Sequence, residues 1–289
     1  MDRQKTLIFC GAHPDDETFG IGTTLAQYAL SGVRVYYVCA TGGELGTVSP
    51  ACMDGYSSIA ELRRAEMKCA ANELGLAGVI YLGYRDSGMA GSQGNHDENA
   101  LAAAPLEEAA GRIVKIIREI KPDVVVTHDA GGGYGHPDHI ATHNATVRAF
   151  YAAGDAGQYP EAGPPFQPQK LYFVVRPYGY MKFMVRLMPL VGQDPRRFGR
   201  NKDIDLTQII GAVYPVNAVV HFSKEAMQMR DRASACHASQ GGGRPRRGPY
   251  RVMQIMEKIR KRDLFMREYP PPTHRREHDL FEGVSQGIR

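Results

Sequence analysis

No stretch of this 289-residue chain approaches the ~20 consecutive apolar residues needed to span a bilayer, so no membrane segment is expected. A secretory leader is not expected either: Met1 to Lys5 is polar, and the apolar run behind it is only a strand long before Gly11. The expected location is the cytoplasm. The five cysteines (Cys10, Cys39, Cys52, Cys69 and Cys236) form no CxxC pair, and an odd count without paired spacing argues against a disulfide framework and for thiols buried as small hydrophobes. Internal repeats and low-complexity tracts are absent. The net charge of +4 gathers in the C-terminal half, at Arg196, Arg197 and Arg200, at Arg244, Arg246 and Arg247, and from Lys258 to Arg262. Without interleaved aromatics or a nucleic-acid motif, these runs read as solvated surface and not as a site for nucleic acid.

The length is near the upper size of a single hydrophobic core. The expectation is a catalytic core over residues 1–150, with residues 151–289 as a smaller C-terminal lobe that completes the fold and the pocket mouth.

Thr6 to Cys10 is apolar without alternation, as in a strand buried on both faces of a parallel sheet. Glu17 to Leu30 suits a helix, with Leu25, Ala26 and Ala29 on one face, and Val33 to Ala40 is a second strand. Ser58 and Glu61 form a capping box opening a helix to Leu74, closed by Gly75; the charges it carries, Arg63, Arg64 and Glu66, are expected to face solvent. Val79 to Leu82 is a third strand, Ser92 to Asn99 reads as mobile, Leu106 to Ile120 is an amphipathic helix stopped by Pro122, and Val124 to Thr127 is a fourth strand. Pro137 fits the first turn of a helix capped by His136 and running to about Phe150. Beyond it, Gly154 to Pro168 reads as a linker or surface loop, Leu171 to Val175 as a strand, and Arg176 to Leu206 as an irregular basic segment. Helices are expected from Ser223 to Ala238 and from Val252 to Phe265, and the last twenty residues read as loosely ordered. The strand and helix alternation predicts an α/β, Rossmann-like fold with a mostly parallel sheet and helices on both faces.

The chemistry concentrates in two turns. Gly11-Ala12-His13-Pro14-Asp15-Asp16-Glu17 leaves the first strand, and Gly135-His136-Pro137-Asp138-His139 follows the fourth. Ligands of open parallel sheets bind beyond the carboxyl ends of strands, which is where both turns fall, and Glu44, in the turn after the second strand, is a further candidate. A hydrolytic zinc ion takes three ligands from His and Asp or Glu and keeps a fourth position open. His13, Asp16 and His139 supply two imidazoles and one carboxylate; Asp15 is left over as a general base, and His136 lies across the site as an electrostatic or acid partner. Iron(II) can occupy such a donor set. His96, His143, His221, His274 and His278 read as ordinary hydrogen-bonded or surface histidines.

His13-Pro14-Asp15-Asp16-Glu17 together with His136-Pro137-Asp138-His139 resembles the zinc-dependent LmbE-like, or PIG-L, family of N-deacetylases, over about the first 150 residues and again at Cys236-His237-Ala238-Ser239-Gln240. The resemblance implies a Rossmann-like fold, His13, Asp16 and His139 as zinc ligands, Asp15 as base, and Asp138 orienting a histidine. Gly132 to His139 and Tyr84 to Met89 are similar to the branch that deacetylates N-acetylglucosaminyl-inositol in mycothiol synthesis. That likeness implies Tyr134 as a hydroxyl polarising the amide carbonyl, and Glu44, Arg63 and Asp86, with Met89 and His237 from the matching segments, as substrate contacts. Sibling amidases acting on thiol conjugates carry a lysine where Thr18, Phe19 and Gly20 stand here, which favours deacetylation. The implied reaction is zinc-dependent removal of an N-acetyl group from a glucosamine-containing small molecule. The rivals are such an amidase, a noncatalytic metal- or sugar-binding module, and an iron(II) oxygenase triad, which the strand-helix alternation disfavours. Oligomeric state is left open.

Overall fold

β1 (Thr6–Gly11) is buried along its whole length, and its side chains alternate between two cores. Leu7 and Phe9 point to one face of the sheet, Ile8 and Cys10 to the other. Each large apolar side chain so buried is worth roughly 1.5–3 kcal/mol, which is why this run carries no polar alternation. The computed structural model describes residues 4–176, 178–197, 202, 205–209, 214–243 and 261–285.

Around β1 the chain builds α1 (Asp16–Leu30), β2 (Arg34–Thr41), α2 (Ile59–Leu74), β3 (Gly78–Tyr84), α3 (Leu106–Ile120) and β4 (Val124–Thr127). A distorted single turn, α4 (Gly132–Gly135), leads into α5 (Pro137–Ala152), followed by β5 (Lys170–Val175), α6 (Tyr178–Leu187), α7 (Leu206–Ile209), β6 (Ala218–His221), α8 (Lys224–Cys236) and β7 (Arg262–Tyr269). The seven strands form one sheet in the order β3-β2-β1-β4-β5-β7-β6. The first five are mutually parallel, and β7 runs antiparallel to both neighbours. α1, α2 and α8 cover the face bearing Phe9, with Leu25, Met67, Leu74 and Ala233 in that core. On the opposite face α3 and α5 lay Ile113, Ile117, Ala145 and Ala149 against Ile8 and Cys10.

Local signals set the helix ends. The Ser58 hydroxyl accepts the Glu61 N–H at 3.1 Å, while the Glu61 carboxylate reaches back to the Ser57 N–H at 2.9 Å, one residue earlier than the usual reciprocal box. Gly75 ends α2 at φ 71°, where a Cβ would be strained. His136 caps α5 by accepting the Asp138 N–H at 3.2 Å, with Pro137 behind it.

Tertiary packing overturns several expectations. Cys69 and Cys236 form a disulfide, since the packing of α2 on α8 joins two thiols 167 residues apart and no spacing rule sees such a pair. Arg63 and Glu66 on α2 are buried and do not face solvent. Ser92 to Asn99 is a tied loop: the Asn95 side-chain amide donates to the carbonyls of Ser87 and Met89. Gly154 to Pro168 is fixed to α3 by the buried Arg118 guanidinium, which donates to the carbonyls of Ala153, Asp155, Gln158, Tyr159 and Gly163. Part of the basic segment after β5 is the helix α6. Of the helix expected over Val252 to Phe265, the end lies in β7, where Phe265 is buried between β5 and β6; the part before residue 261 lies outside the described residues.

The chain end is not loose up to residue 285. Leu280 and Phe281 are in the core, Tyr28 donates its hydroxyl to Asp279 at 2.8 Å, and buried Glu277 pairs with Lys170 at 2.6 Å and with Arg267. Among the described residues, no helix is long and apolar enough to cross a membrane.

Cys10 and Cys39 are buried, and burial pushes both thiols up, Cys10 to about 12, so neither forms a thiolate readily. A chromogenic disulfide reagent is expected to label only Cys52 in the folded protein, and Cys10, Cys39 and Cys52 after denaturation without reductant; labelling of Cys69 or Cys236 in that second experiment would refute the pairing.

Candidate metal centre

β1 and β4 lie side by side, with Cys10 opposite Thr127, and each ends in one of the two polar turns. Since β1 connects outward to β2 on one side and pairs with β4 on the other, their shared carboxyl end is the point where the strand order reverses, the ligand position of open α/β sheets. A side chain at Gly11 would collide with Tyr37, its Cβ only 2.6 Å from the hydroxyl, and that hydroxyl donates to the His13 carbonyl at 2.6 Å. The turn is thus held against β2 from behind.

Asp16 is anchored through one oxygen. Its Oδ2 accepts the N–H groups of Ala12 and His13 at 2.8 and 2.9 Å, and Oδ1 lies 3.3 Å from Nε2 of His139. Nδ1 of His13 is 3.3 Å from the same His139 nitrogen and 3.7 Å from Asp16 Oδ2. Ligands at 2.0–2.2 Å around a tetrahedral cation stand roughly 3.3 Å apart, so these donor atoms fit a metal such as zinc. Two imidazole nitrogens facing one another at that distance beside a carboxylate also suit a shared cation better than a single shared proton. Among the described residues, His13, Asp16, His128, His136 and His139, with Asp86 and Asp138, fall into overlapping groups able to hold a metal.

The surrounding field is strongly negative. Burial opposes protonation of His13, yet Asp138, Asp86 and Asp16 outweigh it and hold the ring well above its ordinary range. Burial also opposes ionisation of Asp16, but His139 and His128 keep it well below the usual carboxylate range. The same potential attracts a divalent cation. Nε2 of His13 faces Asp138 at 3.1 Å, and Asp138 is fixed by the Ser87 N–H at 2.9 Å and by the Ser87 hydroxyl. A carboxylate on the outer nitrogen is the usual way to orient a metal-binding imidazole.

Asp15 stands beside this cluster in a backbone conformation unusual for a side-chain-bearing residue, φ 129°, which costs about 1–3 kcal/mol. Its carboxylate meets Arg63 Nη2 at 2.9 Å. Burial raises its pKa, Arg63 counters, and Asp16 pushes it further up. Arg63 also donates to the carbonyls of Gly43 and Pro14, so its buried charge has several partners. His136, pressed by burial and then by His13 and His139, is driven down to about 2. Because its Nδ1 accepts the Asp138 N–H, the neutral ring carries its proton on Nε2, where it can act as a hydrogen-bond donor. Tyr134, 37% exposed, stands edge-on to the rings of His136 and His139.

A cavity of about 660 Å³ opens over the cluster, with His13, Asp15, Arg63, Asp86, Met89, Tyr134 and His136 in its wall. Two expected substrate contacts are not in that wall. Glu44 sits behind it, accepting the Asp86 N–H at 3.0 Å. His237 is fully buried, its Nε2 2.7 Å from Glu17, because the end of α8 packs beneath the turn and not beside the cavity. Sequence reading missed His128, whose ring stacks on His139 at 4.0 Å and whose buried Nε2, 3.4 Å from Asp16, has no hydrogen-bond partner. Its place directly after β4 was the available signal. Gln240, in the cavity wall, was also missed as a site residue.

The family described as "PIG-L: GlcNAc-PI de-N-acetylase" matches residues 8–150. The chain is 41% identical over 211 residues to the 1D-myo-inositol 2-acetamido-2-deoxy-alpha-D-glucopyranoside deacetylase of Kineococcus radiotolerans, a match spanning 67% of this chain but only 58% of that protein. The enzyme of the same name from Streptomyces avermitilis is 40% identical over 212 residues, covering 70% of this chain and 71% of that protein. In three dimensions the chain superposes on N,N'-diacetylchitobiose deacetylase from Pyrococcus horikoshii with a TM-score of 0.60 over 91% of this chain and 83% of that one; at 20% identity this likeness shows the fold.

Removing a donor by His139→Ala or Asp16→Ala is expected to abolish stoichiometric zinc binding. His128→Phe, which keeps the stack on His139, is expected to weaken zinc about 10- to 100-fold in competition with a chromophoric chelator. Full affinity in His128→Phe would show that this nitrogen does not support the centre.

Proposed function

Because the chain belongs to the PIG-L family of de-N-acetylases, we propose that it is a zinc-dependent hydrolase that removes the N-acetyl group from a small glucosamine-containing molecule. The names of its curated relatives point to 1D-myo-inositol 2-acetamido-2-deoxy-alpha-D-glucopyranoside as the substrate to test first. The observation that carries the reading is the meeting of His13 Nδ1, Asp16 and His139 Nε2 beside a carboxylate they do not use, that of Asp15, with His13 and Asp15 in the wall of an open cavity.

His13, Asp16 and His139 would hold the cation. When bound, it would supply Lewis-acid polarisation of the acetyl carbonyl and a water acidic enough to lose its proton near neutrality. Asp15 takes that proton: its raised pKa makes it a better acceptor than an ordinary solvated carboxylate, and Arg63 fixes its direction. The oxyanion that forms as water adds to the carbonyl receives hydrogen bonds from His136 Nε2–H and the Tyr134 hydroxyl. Collapse then breaks the C–N bond, and the proton stored on Asp15 passes to the departing amine, leaving acetate and a free amino sugar. Asp86 and Met89 stand in the cavity wall where sugar or inositol hydroxyls would lie, and Asp86 is kept ionised because His13 and the Gly88 N–H outweigh its burial.

Metal-depleted protein is expected to release no amine from the N-acetylglucosaminide, and zinc is expected to restore release in a fluorescamine assay. Asp15→Ala is expected to lose about 10²- to 10⁴-fold in turnover while binding zinc stoichiometrically. Normal turnover in Asp15→Ala would remove Asp15 from the role of base, and absence of amine release from the zinc-loaded wild type across a panel of N-acetylglucosaminides would overturn the reading.

A further inference from the structure

The strained backbone of Asp15 has a support on the side away from the cavity. The Asp15 N–H donates to Oε2 of Glu17 at 2.9 Å, inside the first turn of α1. Glu17 is fully buried, and its other oxygen accepts the Thr18 hydroxyl and faces His237 Nε2 at 2.7 Å. His237 is also fully buried and closes α8 as its C-cap. It is pinned on both sides, by the disulfide from Cys236 to Cys69 and by Ser239, whose N–H and hydroxyl both bind Glu66 at 2.7 Å. Neither Glu17 nor His237 lines the cavity, so neither can act on substrate directly.

We propose that Glu17, held in place by His237, is a positioning residue for the base. Its carboxylate captures the Asp15 N–H and keeps that residue at φ 129°, so that the Asp15 carboxylate stays turned toward Arg63 and the metal ligands. This assignment rests on the reading of Asp15 as the base. Without the acceptor, Asp15 relaxes toward ordinary backbone angles and its carboxylate leaves the reacting geometry. A shift of about 1 Å in a catalytic group is enough to cost on the order of a hundredfold in rate.

The test uses the zinc-loaded full chain. Glu17→Ala is expected to lower kcat about a hundredfold with KM within about threefold and zinc content unchanged. Glu17→Gln, whose amide oxygen still accepts from Asp15, is expected to recover most of that loss. In an Asp15→Ala background Glu17→Ala is expected to cost nothing further, since the two act through one group. Hydrogen exchange at the Asp15 amide supplies a readout independent of turnover, and it is expected to speed up in Glu17→Ala and in His237→Ala. Wild-type kcat in Glu17→Ala, additive losses on Asp15→Ala, loss of zinc, or unchanged exchange would each overturn the assignment. Should Glu17→Ala fail to fold, His237→Ala carries the same comparison, and unchanged exchange in His237→Ala or an additive loss on Asp15→Ala would overturn it. A wild type that releases no amine defeats the deacetylase reading alone, because the exchange measurement stands without it.

Discussion

The pairing of β1 with β4 is the constraint on which the rest depends. Two turns separated by more than a hundred residues become neighbours because the strands that end in them are hydrogen-bonded side by side, about 4.8 Å apart, in register from Leu7 opposite Val124 to Cys10 opposite Thr127. A shift of one residue in that register would turn Ile8 and Cys10 toward the α1 face and carry His13 away from His139. Two apolar cores therefore fix the geometry of the donor atoms, and the polar cluster is free to be electrostatically unfavourable by itself. In a group of three acids and four histidines the like charges repel and burial desolvates them, and such a group persists only where the scaffold is over-determined.

What the sequence disclosed and what it hid divide along the range of the interaction concerned. The strand Val124 to Thr127, the helix Leu106 to Ile120 and the His136-Pro137 start of α5 were legible because hydrophobic periodicity and capping act within a few residues. The two histidine turns were legible for a similar reason, each being a short motif at a strand end. Interactions spanning the chain were not: the Cys69–Cys236 bond, the burial of Arg63 beside Asp15, and the role of His237 beneath Glu17 instead of in the pocket. Leu264 and Phe265 could be read as the end of a helix because a short apolar run has no period of its own; their place between β5 and β6 decides it.

The residues after 150 are bound into the same sheet. They supply β5, β7 and β6 and return at Leu280 and Phe281 to the core under α1. Glu277 draws Lys170, Tyr172 and Arg267 into one buried network, so two cations and a hydroxyl share one carboxylate, and each offsets the desolvation of the others. The α8 segment reaches the turn at Asp15 from this half of the chain, which makes the setting of Asp15 a product of both halves.

Arg118 illustrates how a long connection can be made stiff without secondary structure. The stretch between α5 and β5 has almost no ladder of its own, and its carbonyls converge on a single planar guanidinium lodged in α3. An ammonium group offers three donors from one point and could not serve oxygens spread around a fork. Lysine at this position would retain the charge and forfeit the scaffold, so a swap normally considered conservative would here free the crossover that delivers β5 to its place between β4 and β7.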